Sequence, residues 1–165
     1  AHEIWGFMPG DRSDSVFVAE WYPLQRLTAD ESISKQDWAA ISLAKEAINK
    51  VIEEQRNQGL VKGSLGADIQ LFADQKLHAS LAKLGDELRF VTITSKAALL
   101  PLADAGDLQD SMLEGLKVAV THSEASKCVR CWHFIADVGS NEQHPEVCAR
   151  CIDNISGQGE ARAHA

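Results

Sequence analysis

Four cysteines near the end of the 165-residue chain have the spacing of a metal site. They form two Cys-x2-Cys pairs, Cys128 with Cys131 and Cys148 with Cys151, and 16 residues separate the pairs. A two-residue gap lets both sulfurs of a pair face one point, so two pairs supply the four thiolates of a tetrahedral zinc ion. Four thiolates also close the coordination shell and leave a poor Lewis acid. The spacing therefore predicts one structural zinc ion.

Other uses of the four cysteines fit the sequence less well. Disulfides are disfavoured because the chain lacks a secretory signal and a reducing cytoplasm keeps thiols free. A redox Cys-x-x-Cys motif is expected within a βαβ context, which is not found ahead of these pairs. His133 and His144 could each replace one thiol. Since four thiols already have suitable spacing, we expect both histidines to support the site or to lie on the surface.

Cationic and aromatic side chains near the cysteines could contact RNA. They are Lys127, Arg130, Trp132, Arg150 and Arg162. Cations can meet phosphates, and an exposed aromatic ring can stack on an unpaired base. The same cations could instead offset the negative charge of the thiolates, with the tryptophan covering the cluster. Residues 117–165 contain five Lys/Arg and six Asp/Glu, so composition leaves both interpretations open.

The overall composition is that of an acidic globular protein. Lys and Arg number 16 against 24 Asp and Glu, the net charge is −8, and the mean hydropathy is −0.18. This balance argues against nucleic-acid binding by bulk charge, so any RNA contact must be local. The sequence contains no run of 18 or more apolar residues that could span a membrane. Because it also lacks a secretory signal, we expect a cytoplasmic protein. The first methionine is Met8, and we expect the chain to be a fragment of a larger protein.

The residues ahead of the cysteines predict a small α+β fold. Ser34 with Asp37 is a capping arrangement for a helix of about 20 residues that stops near Gly59. Strands are predicted at 69–72, 90–94 and 116–120, a second helix capped by Asp74 follows the first strand, and a loop covers 101–111. This order of elements indicates an α+β layer.

The two ends of the chain differ from this layer. Residues 1–27 are irregular and rich in aromatic residues, which predicts packing onto a neighbouring surface. The segment from residue 122 onward has few large apolar residues. We therefore expect metal binding to supply much of the free energy that folds this segment.

Several of these stretches resemble bacterial isoleucyl-tRNA synthetases. CVRCWH at 128–133, DVG at 137–139, CARC at 148–151 and GQGE at 157–160 resemble that family's C-terminal zinc-binding peptide. Further stretches resemble the family's C-terminal third, namely EIW at 3–5, EWY at 20–22, LGDELRF at 84–90 and GLKV at 115–118. The resemblance covers essentially the entire chain. It implies metal ligation by the four residues at matching positions, Cys128, Cys131, Cys148 and Cys151.

The resemblance also implies an organisation and a function. The chain would hold the end of a helical anticodon-binding domain at 1–63, a small α+β junction domain at 64–121 and a four-cysteine zinc ribbon or finger at 122–165. It would belong to a cytoplasmic, monomeric ligase that uses ATP to join isoleucine to its specific tRNA, with that tRNA and the rest of the synthetase as partners. The family's two nucleotide motifs, of the His-Ile-Gly-His and Lys-Met-Ser-Lys-Ser types, are not in this sequence. We therefore expect ATP to bind outside the chain and expect no catalytic residue within it.

Two other families share part of the pattern. DNA glycosylases of the formamidopyrimidine type end in a similar zinc finger, and a non-enzymatic zinc-ribbon adaptor would bind protein alone. The glycosylases carry an N-terminal catalytic proline and a helical module ahead of the finger. The long amphipathic helix, the α+β segment and the Trp132–His133 pair fit the synthetase better.

Overall fold

Helices alternate with the three strands of one sheet in a computed structural model of the chain. The structure describes residues 1–24 and 32–165. The helices are α1 (His2–Phe7), α2 (Lys35–Asn57), α3 (Gln75–Ala82), α4 (Leu88–Thr92) and α5 (Ala149–Ser156). The strands are β1 (Ala67–Ala73), β2 (Lys96–Pro101) and β3 (Leu116–His122). The α+β fold class predicted from the sequence is confirmed.

Residues 1–31 and 32–165 form two compact units. In the first unit, α1 is followed by a short 3-10 turn at Val16–Val18, and Trp5 Nε1 donates to the carbonyl of Ser13 at 2.8 Å. The segment predicted to be irregular and aromatic-rich falls here, and its residues 25–27 lie outside the described part. In both described ranges, no helix combines the length and apolarity that crossing a membrane requires.

Helix α2 begins where the sequence predicts. Ser34 Oγ accepts from the backbone N–H of Asp37 at 3.1 Å, and Asp37 Oδ2 accepts from the backbone N–H of Ser34 at 2.9 Å, so a capping box closes the first turn. The helix ends ahead of Gly59, whose φ of +79° is a left-handed conformation that glycine adopts without strain. Its buried face consists of Ile41, Ala44, Ala47, Ile48 and Ile52.

Strand β1 is the centre of the sheet, whose order is β2-β1-β3. It pairs with β2 in parallel, with Leu71 opposite Leu99, and with β3 antiparallel, with Leu71 opposite Val118. Parallel neighbours need a crossover connection, which α3 and α4 supply. One core joins the sheet to α2 and α3, and Ile48, Ile69 and Leu81 are fully buried in it. The C-terminal segment, which follows β3, therefore lies next to a packed hydrophobic core.

The strand predicted at residues 90–94 is wrong, because Leu88–Thr92 is helix α4 and β2 begins only at Lys96. Thr92 is buried, and its Oγ1 donates to the carbonyl of Leu88 at 3.0 Å, which satisfies the hydroxyl within a helical turn. Ile93 then takes a left-handed φ of +57° that ends the helix. Local packing therefore overrides the strand propensity of this β-branched stretch.

Candidate metal centre

The Sγ atoms of Cys128, Cys131, Cys148 and Cys151 all lie within 4.8 Å of one another. Cys131 is partly buried and the other three are fully buried. A tetrahedral ion with Zn–S bonds of about 2.3 Å separates its ligands by about 3.8 Å. The Sγ atoms of Cys131 and Cys148 are 3.8 Å apart, too far for a disulfide. The four sulfurs are thus positioned to bind one zinc ion, as the spacing predicts.

Backbone hydrogen bonds bring the two cysteine pairs together. The first pair lies in a tight turn closed by a bridge between Lys127 and Phe134, in which the N–H of Trp132 donates to the carbonyl of Cys128 at 2.9 Å. The N–H of Val129 donates to the carbonyl of Glu146 at 3.1 Å, which joins this turn to the residues ahead of the second pair. In the second pair, Cys148 is the N-cap of α5 and Cys151 lies in its first turn.

The surroundings of the sulfurs favour a bound cation. Burial raises the pKa of Cys128, but backbone N–H groups, first that of Cys131, lower it by more, so its pKa falls to about 6. Burial raises the pKa of Cys148 to about 12 and also raises the pKa of Cys151. Arg130 Nη1 lies 3.5 Å from Cys151 Sγ. Arg150 also interacts with the sulfur of Cys131. Four thiolates need more positive charge than these two guanidinium groups supply, and a divalent ion provides it.

Three of the five side chains predicted to contact RNA lie on the first cysteine turn. Lys127, Arg130 and Trp132 are all exposed, and Lys127 Nζ lies 5.5 Å from the centroid of the Trp132 ring. Trp132 is 59% exposed and has a left-handed φ of +65°. The ring therefore faces solvent instead of being buried over the sulfurs.

The other two predicted RNA contacts already have a partner within the chain. Glu160 Oε1 lies 2.8 Å from Arg150 Nη1 and 2.6 Å from Arg162 Nη2. Burial raises the pKa of Glu160, but its hydrogen bonds, first that from Arg162, lower it by more, to about 2. Glu160 is consequently an anion at neutral pH. The GQGE stretch at 157–160 contains this carboxylate, but nothing in the residue spacing indicates that it faces two arginines.

His133 lies beside the cluster without belonging to it. Its side chain is 9% exposed, its Nδ1 lies 3.2 Å from the carbonyl of Cys131, and its ring packs edge-on against Phe90 at a centroid distance of 5.9 Å. Burial, and then Arg150 among the nearby charges, lowers the pKa of His133, while the hydrogen bond to Cys131 opposes the shift. In the described part of the chain, neither His133 nor His144 belongs to a group of metal-ligating atoms.

Comparisons with known proteins match both the cysteine segment and the whole chain. A family model described as "Zinc finger found in FPG and IleRS" matches residues 125–154, which include all four cysteines. The chain is 51% identical to an isoleucine–tRNA ligase of Alcanivorax borkumensis, 48% identical to one of Teredinibacter turnerae and 48% identical to one of Pseudomonas aeruginosa. Each match includes 100% of this chain and 18% of the relative, so the chain spans less than a fifth of the curated relatives' length.

Proposed function

Because the chain is homologous over its whole length to the C-terminal region of isoleucine–tRNA ligases, we propose that it is the zinc-bearing, tRNA-contacting part of such a ligase. The whole enzyme attaches isoleucine to its specific tRNA with ATP, in the cytoplasm and as a monomer. The observation that carries the proposal is the identity of 47–51% along the entire chain. The shared zinc finger accounts for residues 125–154 alone, which is why a DNA glycosylase or a zinc-ribbon adaptor is not favoured.

The zinc ion has a structural role in this proposal. Cys128, Cys131, Cys148 and Cys151 are its ligands, and the close approach of their Sγ atoms supports the assignment. When bound, the ion ties the first cysteine turn to the start of α5. No catalytic step is assigned to these residues, because four thiolates leave no open coordination position.

The RNA contacts centre on the first cysteine turn. Trp132 stacks on an unpaired base, and Lys127 and Arg130 meet phosphates next to that base. The exposure of all three side chains and the left-handed backbone of Trp132, which projects from a rigid turn, support these roles. Arg150 and Arg162 contribute further positive charge on the same segment.

The division of the chain into three parts belongs to the same proposal. Residues 1–63 are the end of a helical anticodon-binding domain, 64–121 a small α+β junction domain and 122–165 the zinc-binding domain. Gly63 lies between α2 and β1, and residue 121 is the next to last residue of β3. Helix α2 nevertheless shares one hydrophobic core with the sheet, so the first boundary rests on the resemblance and not on separate cores. ATP binds elsewhere in the whole enzyme, so we expect this chain by itself neither to activate isoleucine nor to edit tRNA.

Fluorescence anisotropy with a labelled isoleucine tRNA transcript tests the tRNA contact directly. The zinc-loaded chain should bind the transcript, and a chelator should weaken binding at least about tenfold by releasing the first cysteine turn. Measurements at two salt concentrations separate phosphate contacts from stacking. Absence of binding by the zinc-loaded chain, or equal binding with and without the chelator, would contradict the proposed role of the zinc segment.

A further inference from the structure

Three arginines surround one aromatic ring outside the metal centre. The guanidinium carbons of Arg89, Arg150 and Arg162 lie 4.6, 5.1 and 3.9 Å from the centroid of the Phe90 ring, and we call this group the Phe90 cluster. Cation–π attraction to the ring helps to hold three like charges together. Among the described residues, the side chain of Arg89 makes no hydrogen bond or ion pair, whereas Arg150 and Arg162 share the carboxylate of Glu160.

The donors of the cluster outnumber their acceptors. A single oxygen, Glu160 Oε1, accepts from Arg150 at 2.8 Å, from Arg162 at 2.6 Å and from Asn154 Nδ2 at 3.1 Å. Two further nitrogens, Arg150 Nε and His133 Nε2, are buried and have no hydrogen-bond partner in the described part of the chain. Both side chains contact the Phe90 region. A carbonyl only accepts, so His133 donates from Nδ1 to Cys131, and Nε2 of the neutral ring is an acceptor. Arg150 Nε is then the unpaired buried donor, and this donor beside surplus cations indicates a site for an anion with more oxygens than one carboxylate.

The carboxylate reaches the cluster from a segment that can exchange partners. Residues 157–165, which we call the tail, follow α5 and contribute nothing to either hydrophobic core. Polar contacts hold the tail in place. The N–H of Glu160 donates to Asn154 Oδ1 at 2.9 Å, and the carboxylate of Glu87 accepts from three successive N–H groups at 2.6–2.7 Å, those of Ala163, His164 and Ala165. Displacement of the Glu160 carboxylate therefore costs part-buried and exposed polar contacts and leaves both hydrophobic cores intact.

We propose that the Phe90 cluster is a binding site for a phosphodiester group of RNA, and that the Glu160 carboxylate occupies this site in the free chain. This inference rests on the proposed tRNA contact and adds Arg89 and the tail to it. A phosphodiester presents two non-bridging oxygens next to its ester oxygens, so it can meet Arg89 as well as Arg150 and Arg162. The tail carboxylate then acts as an internal competitor of the RNA backbone.

Charge-neutralising variants of the full chain test this competition against an isoleucine tRNA transcript. Glu160→Gln keeps the shape and the hydrogen-bonding oxygen but removes the charge, and Glu142→Gln removes an exposed charge elsewhere in the zinc segment. We expect Glu160→Gln to lower Kd about threefold more than the control does. Its plot of log Kd against log salt should be steeper by at most about one unit, because the cluster meets one phosphate. Zinc content and urea unfolding verify that both variants fold.

Arg89→Gln is the second test, because this side chain makes no hydrogen bond or ion pair in the described residues and the substitution removes its cation–π contact with Phe90. It should weaken binding and flatten the salt dependence more than Lys62→Gln, which removes an exposed charge far along the sequence from the cluster. Equal effects of Glu160→Gln and Glu142→Gln, or weaker RNA binding by Glu160→Gln, would overturn the inference while leaving tRNA binding in place. If the wild-type chain fails to bind the transcript at all, the proposed function itself is wrong.

Discussion

Ser95 Oγ lies 2.6 Å from the backbone nitrogen of Phe134, so the residue just ahead of β2 accepts a hydrogen bond from the end of the first cysteine turn. The same hydroxyl donates to the carbonyl of Leu65, and Ser95 is 4% exposed. Gly66 lies close to the Phe134 ring at this junction, since a Cβ added at Gly66 would be 3.7 Å from the ring. One buried serine thus joins the sheet to the segment that holds the metal ligands.

Replacement of Ser95 by Ala should therefore destabilise the chain. It leaves the N–H of Phe134 and the carbonyl of Leu65 without their buried partner, at a cost of about 1–3 kcal/mol in the free energy of unfolding. Urea denaturation of the zinc-loaded chain measures this cost. Ser156→Ala removes an exposed hydroxyl bonded to the carbonyl of Ile152 and should change the free energy by less than about 0.5 kcal/mol. Similar effects of the two substitutions would contradict the role of Ser95.

Acid should remove a second stabilising contact, between Asp37 and Lys83. The hydrogen bond from Lys83, and then those from Ser34, hold the pKa of Asp37 well below its usual range. A depressed carboxyl pKa stabilises the fold above the pKa of the unfolded chain, about 3.9, and this stabilisation is lost as the pH falls toward the folded value. The advantage of the wild-type chain over Asp37→Asn should therefore be smaller at pH 3 than at pH 7.

Urea denaturation at pH 3 and pH 7 measures the difference in the free energy of unfolding between the wild-type chain and Asp37→Asn. A chelator is present throughout, so that metal binding does not contribute to the difference. Asp107→Asn, at an exposed position, is the control and should show no comparable change with pH. If the advantage of the wild-type chain over Asp37→Asn is the same at pH 3 and pH 7, the carboxylate of Asp37 does not stabilise the fold through its charge.

Lys127 and Trp132, whose side chains lie close together on the first cysteine turn, should affect tRNA binding in different ways. Lys127→Gln removes a phosphate contact and should reduce the slope of log Kd against log salt by about one unit. Trp132→Ala removes a stacking surface and should cost about 1–3 kcal/mol of binding free energy with little change in that slope. Trp132→Phe should restore part of the affinity. The stacking assignment fails if Trp132→Ala binds the transcript as tightly as the wild-type chain.

Features encoded by neighbouring residues could be predicted from the sequence. The capping box of Ser34 and Asp37 and the stop at Gly59 depend on residues a few positions apart, and the convergence of the cysteine pairs follows from the Cys-x2-Cys spacing within each pair and the need of one ion for four ligands. Short-range hydrogen bonds and the period of the apolar residues determine these features, so the sequence pattern is sufficient to find them.

Features that depend on tertiary packing either differ from the sequence prediction or cannot be predicted from the sequence. The β-branched residues at 90–94 favour a strand by propensity, but tertiary packing buries Thr92, and helix α4 satisfies its hydroxyl with the carbonyl of Leu88. The pairing of Glu160 with Arg150 and the positions of Arg150 and Arg162 over Phe90 follow from tertiary packing, which no residue spacing encodes. Such contacts determine which predicted RNA-binding arginines are free in the isolated chain, and the structure was needed to find them.

Cobalt(II) substitution tests the central claim, that four cysteine thiolates hold one structural ion, most directly. Titration of the reduced, metal-free chain should produce the intense visible bands of tetrahedral thiolate coordination, saturate at one equivalent of cobalt and lose the bands when one equivalent of zinc is added. Weak bands of a six-coordinate ion, or a failure to saturate at one equivalent, would contradict a four-cysteine site and the account of the C-terminal segment that depends on it.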